Sequence, residues 1–201
     1  MCSSDLAAAR KAGVLVASGA SSVPALAAAV IDHLAPRFQT IETLTYGISP
    51  GNSFDPGIAT VRSILAGLDR PLTALRNSRM TAAYGWQPLV RRRFKDPRVG
   101  TRWLGACDIP DLDIFPSRYP TLKTQRFIAG VEVKVVHAGL FALSWLVRAQ
   151  LLRKPERLAG PLLAAKRRLG MLGSDRGAMF LELRGTGADR KSTRLNSSHR
   201  T

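Results

Sequence analysis

A nucleophilic or metal-centred reaction needs Cys, His, Asp or Glu side chains within reach of one another. The densest such group here is Cys107-Asp108, followed by Asp111 and Asp113. A thiolate nucleophile also needs a neighbouring base and a lowered pKa. The chain has three histidines. His33 closes one apolar-periodic stretch, His137 edges another, and neither has ligand spacing or pairs with Cys107. The group reads as a buried structural cysteine, and no metal site is expected.

Anion chemistry is better supplied. "YGWQPLVRRRFKDPRVGTRW" (Tyr84–Trp103) interleaves aromatic residues with Arg91, Arg92, Arg93, Lys95, Arg98 and Arg102. Arginine grips a carboxylate or phosphate through two parallel hydrogen bonds. Arg102, beside Trp103, is the candidate for a substrate anion, although the stretch also reads as a solvated basic loop with its tryptophans in the core. "SPGNS" (Ser49–Ser53) offers Asn52 as a second substrate-side candidate, because loops on a rigid sheet carry function. Pro, Gly and Asn equally suit a tight turn without a ligand. Ser18, Gly19, Ala20, Ser21 and Ser22 precede a helix, whose free N–H groups and dipole favour an anion. An ordinary serine-capped turn is the plainer reading of these five. No catalytic residue can be named.

The elements that must position these residues follow from periodicity. "AAARKAG" (Ala7–Gly13) is the end of a helix stopping at glycine, and "VLVAS" (Val14–Ser18) has the apolar run of a strand buried on both faces. Val23, Leu26, Ala27, Val30, Ile31 and Leu34 recur at helical spacing, with Ser22 as cap, Pro24 in the first turn and Pro36 as stop. "TIETLTYGI" (Thr40–Ile48) is strand-like. "DPGIATVRSILAGLD" reads as a helix capped by Asp55, with Pro56 first and a stripe of Ile58, Val61, Ile64, Leu65 and Leu68. "RMTAAYGW", "TRWLGACD", "TQRFIAGVEVKV" and "AMFLELRG" are further strands. Pro/Asp-rich loops such as "DIPDLDIFPSRYP" separate them, and a helical stretch from about His137 to Leu172 breaks near Pro155 and Pro161. The fold class is α+β: a mixed, largely antiparallel sheet with helices on one face.

Composition bounds the rest. Hydrophobic residues make up 45% of the 201, enough for a core. Thirty Lys+Arg against 14 Asp+Glu give +16, which suggests an anionic partner. Two cysteines make neither a disulfide framework nor a zinc set and fit a reducing compartment. "MCSSDLAAARKAG" lacks the apolar core of a signal peptide, which points to a cytoplasmic protein. The apolar run "VVHAGLFALSWLV" falls short of the ~20 residues that span a bilayer. It opens a stretch, Val135–Gly170, punctuated by Arg148, Arg153, Lys154, Arg157, Lys166, Arg167 and Arg168. Such a stretch can lie on an anionic membrane surface or pack on the sheet with its arginines in water. Charge alone would also allow nonspecific nucleic-acid binding, the weakest of these partners.

At "AGVLVASGASSVPALAAAVIDHLAP", "YGISPGN", "YGWQPL", "GTRWLGACDIPDLDIFPSRYP" and "GSDRGAMFLELRG" the chain resembles the saccharopine dehydrogenase-like family, over nearly all of Ala7–Gly187. The resemblance implies descent from NAD(P)-dependent oxidoreductases. It also implies a Rossmann domain ahead of a substrate-side α+β domain, with Ser18–Ser22 near the nicotinamide and a small-molecule substrate of unspecified type. The family's glycine-rich fingerprint, G-x-G-x-x-G after a first strand, does not occur here. Residues 7–37 are then the remnant of the dinucleotide domain, its last strand and helix. Residues 38–188 form the substrate-side domain with a C-terminal return segment. NAD(P) belongs to the intact parent, no tight cofactor binding is expected of this chain, and it is expected to be inactive alone. The basic tail "DRKSTRLNSSH" (Asp189–His199) resembles the translation of a sequencing adapter, and "CSSDL" (Cys2–Leu6) the opposite adapter end. Residues 1–6 and 189–201 are accordingly expected to lie outside the natural protein.

Overall fold

Strand β1 (Phe38–Ser49) is the centre of the fold, and its spacing explains how. Phe38, Ile41, Leu44 and Tyr46 are all buried in one core, yet the first three are three residues apart rather than two. Register shifts against the neighbouring strand between Phe38 and Thr40 and between Ile41 and Thr43 account for this. Each irregularity inserts an extra residue, which returns the next apolar side chain to the same face.

The structure, a computed structural model, describes residues 3–15, 21–23, 25–68, 71–187 and 192–200. Two helices come first, α1 (Ser3–Ala12) and α2 (Leu26–Leu34), the latter ending in a 3₁₀ turn at Ala35–Arg37. After β1 come α3 (Gly57–Ala66), β2 (Leu72–Arg76), β3 (Arg79–Ala83), β4 (Val90–Arg93), β5 (Thr101–Ala106), α4 (Asp111–Arg118) and β6 (Thr124–Ala129). Helices α5 (Lys134–Arg148) and α6 (Ala159–Arg168) and strands β7 (Ala178–Gly187) and β8 (Ser192–Arg200) complete the chain. Six strands form one sheet in the order β4-β5-β6-β1-β7-β8, and β2-β3 form a separate hairpin. Strands β1 and β6 run parallel; every other pairing in the sheet is antiparallel.

The sheet is therefore mixed and largely antiparallel. On one face α2, α4 and the β2-β3 hairpin bury Ile31, Leu75 and Phe115 against Leu44, Tyr46, Phe127 and Leu181. Tyr46 lies 5.9 Å from the Phe115 ring and 5.1 Å from that of Phe127. The Gln125 Nε2 donates to the Tyr46 hydroxyl at 3.1 Å and to the Asp111 carbonyl at 2.8 Å, which ties α4 to the sheet. On the opposite face Phe94, Val99, Leu104, Ile128 and Phe180 cluster, and no helix residue joins them among the described residues. A third cluster joins α3, α5 and α6 through Leu65, Leu68, Val147, Ala159 and Trp86.

Several expectations are corrected. Val14 and Leu15 lie in no strand and are exposed, so the buried strand expected at Val14–Ser18 does not form there; Val16, Ala17 and Ser18 lie outside the described residues. Ser22 does not cap α2. The helix starts three residues beyond Val23, after Ala25 at φ 89°, with no side-chain capping bond. Pro24 lies outside the described residues, and Pro36 falls within the closing 3₁₀ turn. The strand expected through "GVEVKV" stops at Ala129, and α5 begins at Lys134. Pro161 breaks nothing. It sits in the first turn of α6, where the missing N–H has no partner to lose. The loop "DIPDLDIFPSRYP" contains α4, which buries Leu112 and Phe115 one turn apart. Residues 192–200 pair along β7 as the edge strand β8, which describes the fold and leaves the expectation about their origin as it stands.

Close approach fixes Gly47. A Cβ there would stand 2.0 Å from the Ile128 carbonyl oxygen and 2.8 Å from the Phe180 ring. Both neighbours are buried, one of them backbone, so neither can give way. Gly47→Ala is expected to destabilise the fold by about 1–3 kcal/mol or more, read from the urea-unfolding midpoint; an unchanged midpoint would show that the two strands can part.

Candidate functional site

Asn52 and Arg102 come together at one end of the sheet, and a residue that the sequence reading passed over joins them. Asn52 follows the end of β1, Glu132 follows the end of β6, Arg102 is near the start of β5, and Ser174 precedes β7. The Glu132 Oε2 accepts the Asn52 N–H at 2.7 Å and the Ser174 N–H at 2.8 Å. Its Oε1 accepts the Ser174 hydroxyl at 2.8 Å and an Arg102 guanidinium N–H at 3.0 Å. Arg102 also donates to the Arg176 carbonyl at 3.1 Å, and the Asn52 amide donates to the Leu169 carbonyl at 2.7 Å. The loops press close. A Cβ on Gly173 would meet the Asn52 Cβ at 2.2 Å, and one on Gly51 would meet the Ser174 carbonyl at 2.5 Å.

Burial by itself would disfavour the Glu132 charge. The Ser174 and Asn52 N–H groups, the Ser174 hydroxyl and Arg102 outweigh it and hold the carboxyl below the usual carboxylate range. The Arg102 side chain is only 5% exposed. Its charge is thus neutralised inside the protein. The knot fixes the rim of the sheet and leaves the guanidinium little reach toward an outside anion.

The other candidates are dispersed. Ser21 is exposed and Ser22 half-buried, and the Ser21 carbonyl accepts the Leu26 N–H at 3.2 Å. Ser18, Gly19 and Ala20 lie outside the described residues. A dinucleotide cradle needs the glycines of a G-x-G-x-x-G turn for close backbone approach, and the sequence around Ser18–Ser22 lacks that pattern. Arg91, Arg92 and Arg93 lie in β4. Arg92 pairs with Glu182 at 2.5 Å and lies 3.5 Å over the Phe180 ring, so its charge roofs an apolar cluster. Arg98 pairs with Asp96.

Cys107 lines a cleft of about 250 Å³ with Thr60, Ser63, Trp86 and Asp108. Burial first, and then the Asp108 charge, push its thiol up to about 11, which keeps it protonated and unreactive at neutral pH. His137 is fully buried, edge-on to Trp86 at 5.3 Å and Trp103 at 6.3 Å. Neither ring nitrogen has a hydrogen-bond partner, and burial pushes its pKa down to about 4. It is a neutral packing residue. No group of three or more His, Cys, Asp or Glu is placed to hold a metal among the described residues.

A groove of about 580 Å³ opens between Leu68, Pro71, Tyr84, Val147, Leu152 and the polar side chains of Arg148, Gln150 and Arg153. Its volume suits a small ligand. The Arg148 guanidinium lies 4.1 Å over the Tyr84 ring and donates to the Gln87 Oε1 at 3.0 Å. In the sequence Arg148 and Arg153 stand out as basic residues of a stretch suited to an anionic membrane surface or to solvent, and not as the lining of a groove.

No family model matches the chain, and no curated protein does. Among solved structures it is similar to apo, histidine-tagged saccharopine dehydrogenase (L-Glu forming) from Saccharomyces cerevisiae, with a TM-score of 0.46 and 10% identity. The match covers 88% of this chain and 56% of that one, so this chain spans little more than half the length of that enzyme.

Two outcomes test the site. Glu132→Ala strands the buried Arg102 charge and is expected to cost about 3–5 kcal/mol, with Glu132→Gln, which keeps an acceptor, costing less. Equal losses in urea melts would mean that the charge pair does not govern the knot. The second concerns pH. The folded-state pKa of His137 lies below its unfolded value of 6.5, so its contribution is whole above pH 6.5 and lost as pH falls through about 4. Over that window the wild type is expected to lose about 3 kcal/mol more than His137→Phe; parallel stability curves would contradict it.

Proposed function

We propose that this chain is the substrate-side part of an NAD(P)-dependent oxidoreductase of the saccharopine dehydrogenase type, inactive when alone. The observation that carries the reading is the convergence of Asn52, Arg102 and Glu132 beyond the carboxyl ends of β1 and β6, the one parallel pair among the described strands. In sheets with parallel strands, ligands bind outside such ends. The two residues singled out for a substrate both belong to this rim. In this reading they serve the substrate by fixing the loops that face it, since Glu132 already takes up the Arg102 charge.

A bound nicotinamide cofactor would supply the hydride, and the protein would orient substrate against it. The glycine-rich loop that cradles the pyrophosphate is absent from the 201 residues. Hydride transfer by this chain alone is therefore not part of the proposal, and Ser18–Ser22 would contribute only beside a complete dinucleotide domain. The motifs that resemble the family fall over α2, at the end of β1, ahead of β4, on β5 with α4, and on β7.

The deciding experiment is to follow the reading frame past both ends of this sequence. A strand–G-x-G-x-x-G–helix unit is expected upstream; its absence removes the oxidoreductase reading. Titration of the present chain with NADPH, followed by fluorescence, is expected to give no saturable binding up to about 1 mM. Saturation below that would overturn the claim of inactivity.

A further inference from the structure

Helix α5 is apolar nearly all round. One side packs into the fold through His137, Ser144 and Val147. The other leaves Val135 68% exposed, Trp145 49% and Leu146 45%, with Leu151 just beyond the helix at 77%. An amphipathic surface helix would carry charges on that outer side. Here the charges stand at the helix end instead. Arg148, Arg153, Lys154 and Arg157 are all exposed within ten residues of Arg148, and Glu156 is the one acid between Lys134 and Arg168. None of these four basic residues forms an ion pair among the described residues.

The apolar and basic parts meet at the groove. Arg148 and Arg153 line it together with Tyr84, Leu68 and Leu152, and Arg148 also lies 5.0 Å from the Trp145 ring. A tryptophan beside an arginine, both at the edge of an apolar stripe, is the pattern of a surface that sits at headgroup depth. The groove then offers two guanidinium groups to a phosphate, with an apolar floor for the first part of an acyl chain.

We propose that the outer face of α5 and the adjoining Arg148–Arg153 groove dock this protein on an anionic phospholipid bilayer, with Trp145, Leu146 and Leu151 entering the interface and the arginines contacting lipid phosphate. Charge complementarity chooses the occupant. A protein partner of this apolar face need not be acidic, whereas an anionic bilayer matches the apolar stripe and its basic rim together. Docking does not depend on the oxidoreductase reading, and its test involves neither cofactor nor reading frame. No helix among the described residues is long and apolar enough to cross a membrane, so the association is with one leaflet.

The test is cosedimentation of the full chain with vesicles at physiological salt. Vesicles of equal parts phosphatidylcholine and phosphatidylglycerol are expected to bind it about tenfold or more better than phosphatidylcholine alone. Arg153→Glu with Lys154→Glu should abolish that preference, and Trp145→Ser with Leu151→Ser should weaken binding to both kinds of vesicle. Arg91→Glu with Arg93→Glu removes as much positive charge from exposed positions on β4, and should leave most of the binding intact. An equal loss in that variant would overturn the site in favour of net charge. No preference for anionic vesicles, displacement by glycerophosphate at matching phosphate concentration, or salt-sensitive binding to DNA without vesicle binding would each overturn the docking. Far-UV circular dichroism of every variant must match the wild type, so that a lost preference reports the surface and not the fold.

Discussion

One carboxylate ties together the loops at one end of the sheet. Glu132 accepts hydrogen bonds from the loop after β1, from the loop before β7 and from Arg102 on β5. The strand pairings bring these segments side by side, and the Ser53 N–H donates to the Ser174 carbonyl at 3.0 Å; Glu132 adds the charged contact that joins all three. A buried charge without partners costs several kcal/mol, and a pair that is fully hydrogen-bonded recovers much of that cost. The arrangement is therefore close to all-or-none. Four donors meet on its two oxygens, and without the carboxylate the Arg102 charge and the Asn52 and Ser174 N–H groups lose the acceptor they share. The start of α3, the end of β6 and the approach to β7 all take their positions from this point.

Much of the sheet was legible because its strands carry their own signals. β1 and β7 are runs of β-branched and apolar residues, and α3 has a clean apolar stripe. What was hidden was hidden for physical reasons. Helix α4 is only eight residues long and opens with two aspartates around one leucine, a composition shared with turns. "VEVKV" alternates like a strand, but Gly130 ends the ladder and the chain turns into α5. Asn52 and Arg102 could be singled out by residue type. Glu132 could not, because its partners stand 80, 42 and 30 residues away and nothing local marks it.

The charge divides in a similar way. Arg92 and Arg102 are spent on Glu182 and Glu132 where little solvent reaches, and Arg118, Lys123 and Arg167 pair at the surface with Asp32, Glu42 and Asp55. Others have a local purpose. β4 is one of the two outer strands of the sheet, and Arg91 and Arg93 on it are exposed. Charged residues there discourage another chain from adding a strand. A total of +16 thus overstates what is available to a partner, and the position of the remaining cations near α5 matters more than their number.

The place of β1 in the sheet also sets the order in which the protein can assemble. Its neighbours arrive late: Thr43 pairs with Thr124, and Phe38 pairs with Gly187. On the ribosome β1 would emerge long before either partner, with its apolar side chains and both hydrogen-bonding edges unmet. The local units, the β2-β3 and β4-β5 pairs and the separate helices, can form in the meantime. Closing the sheet must wait for β7, so long-range pairings hold its centre, the kind of topology that slows folding and leaves a central strand open to wrong partners in the interval.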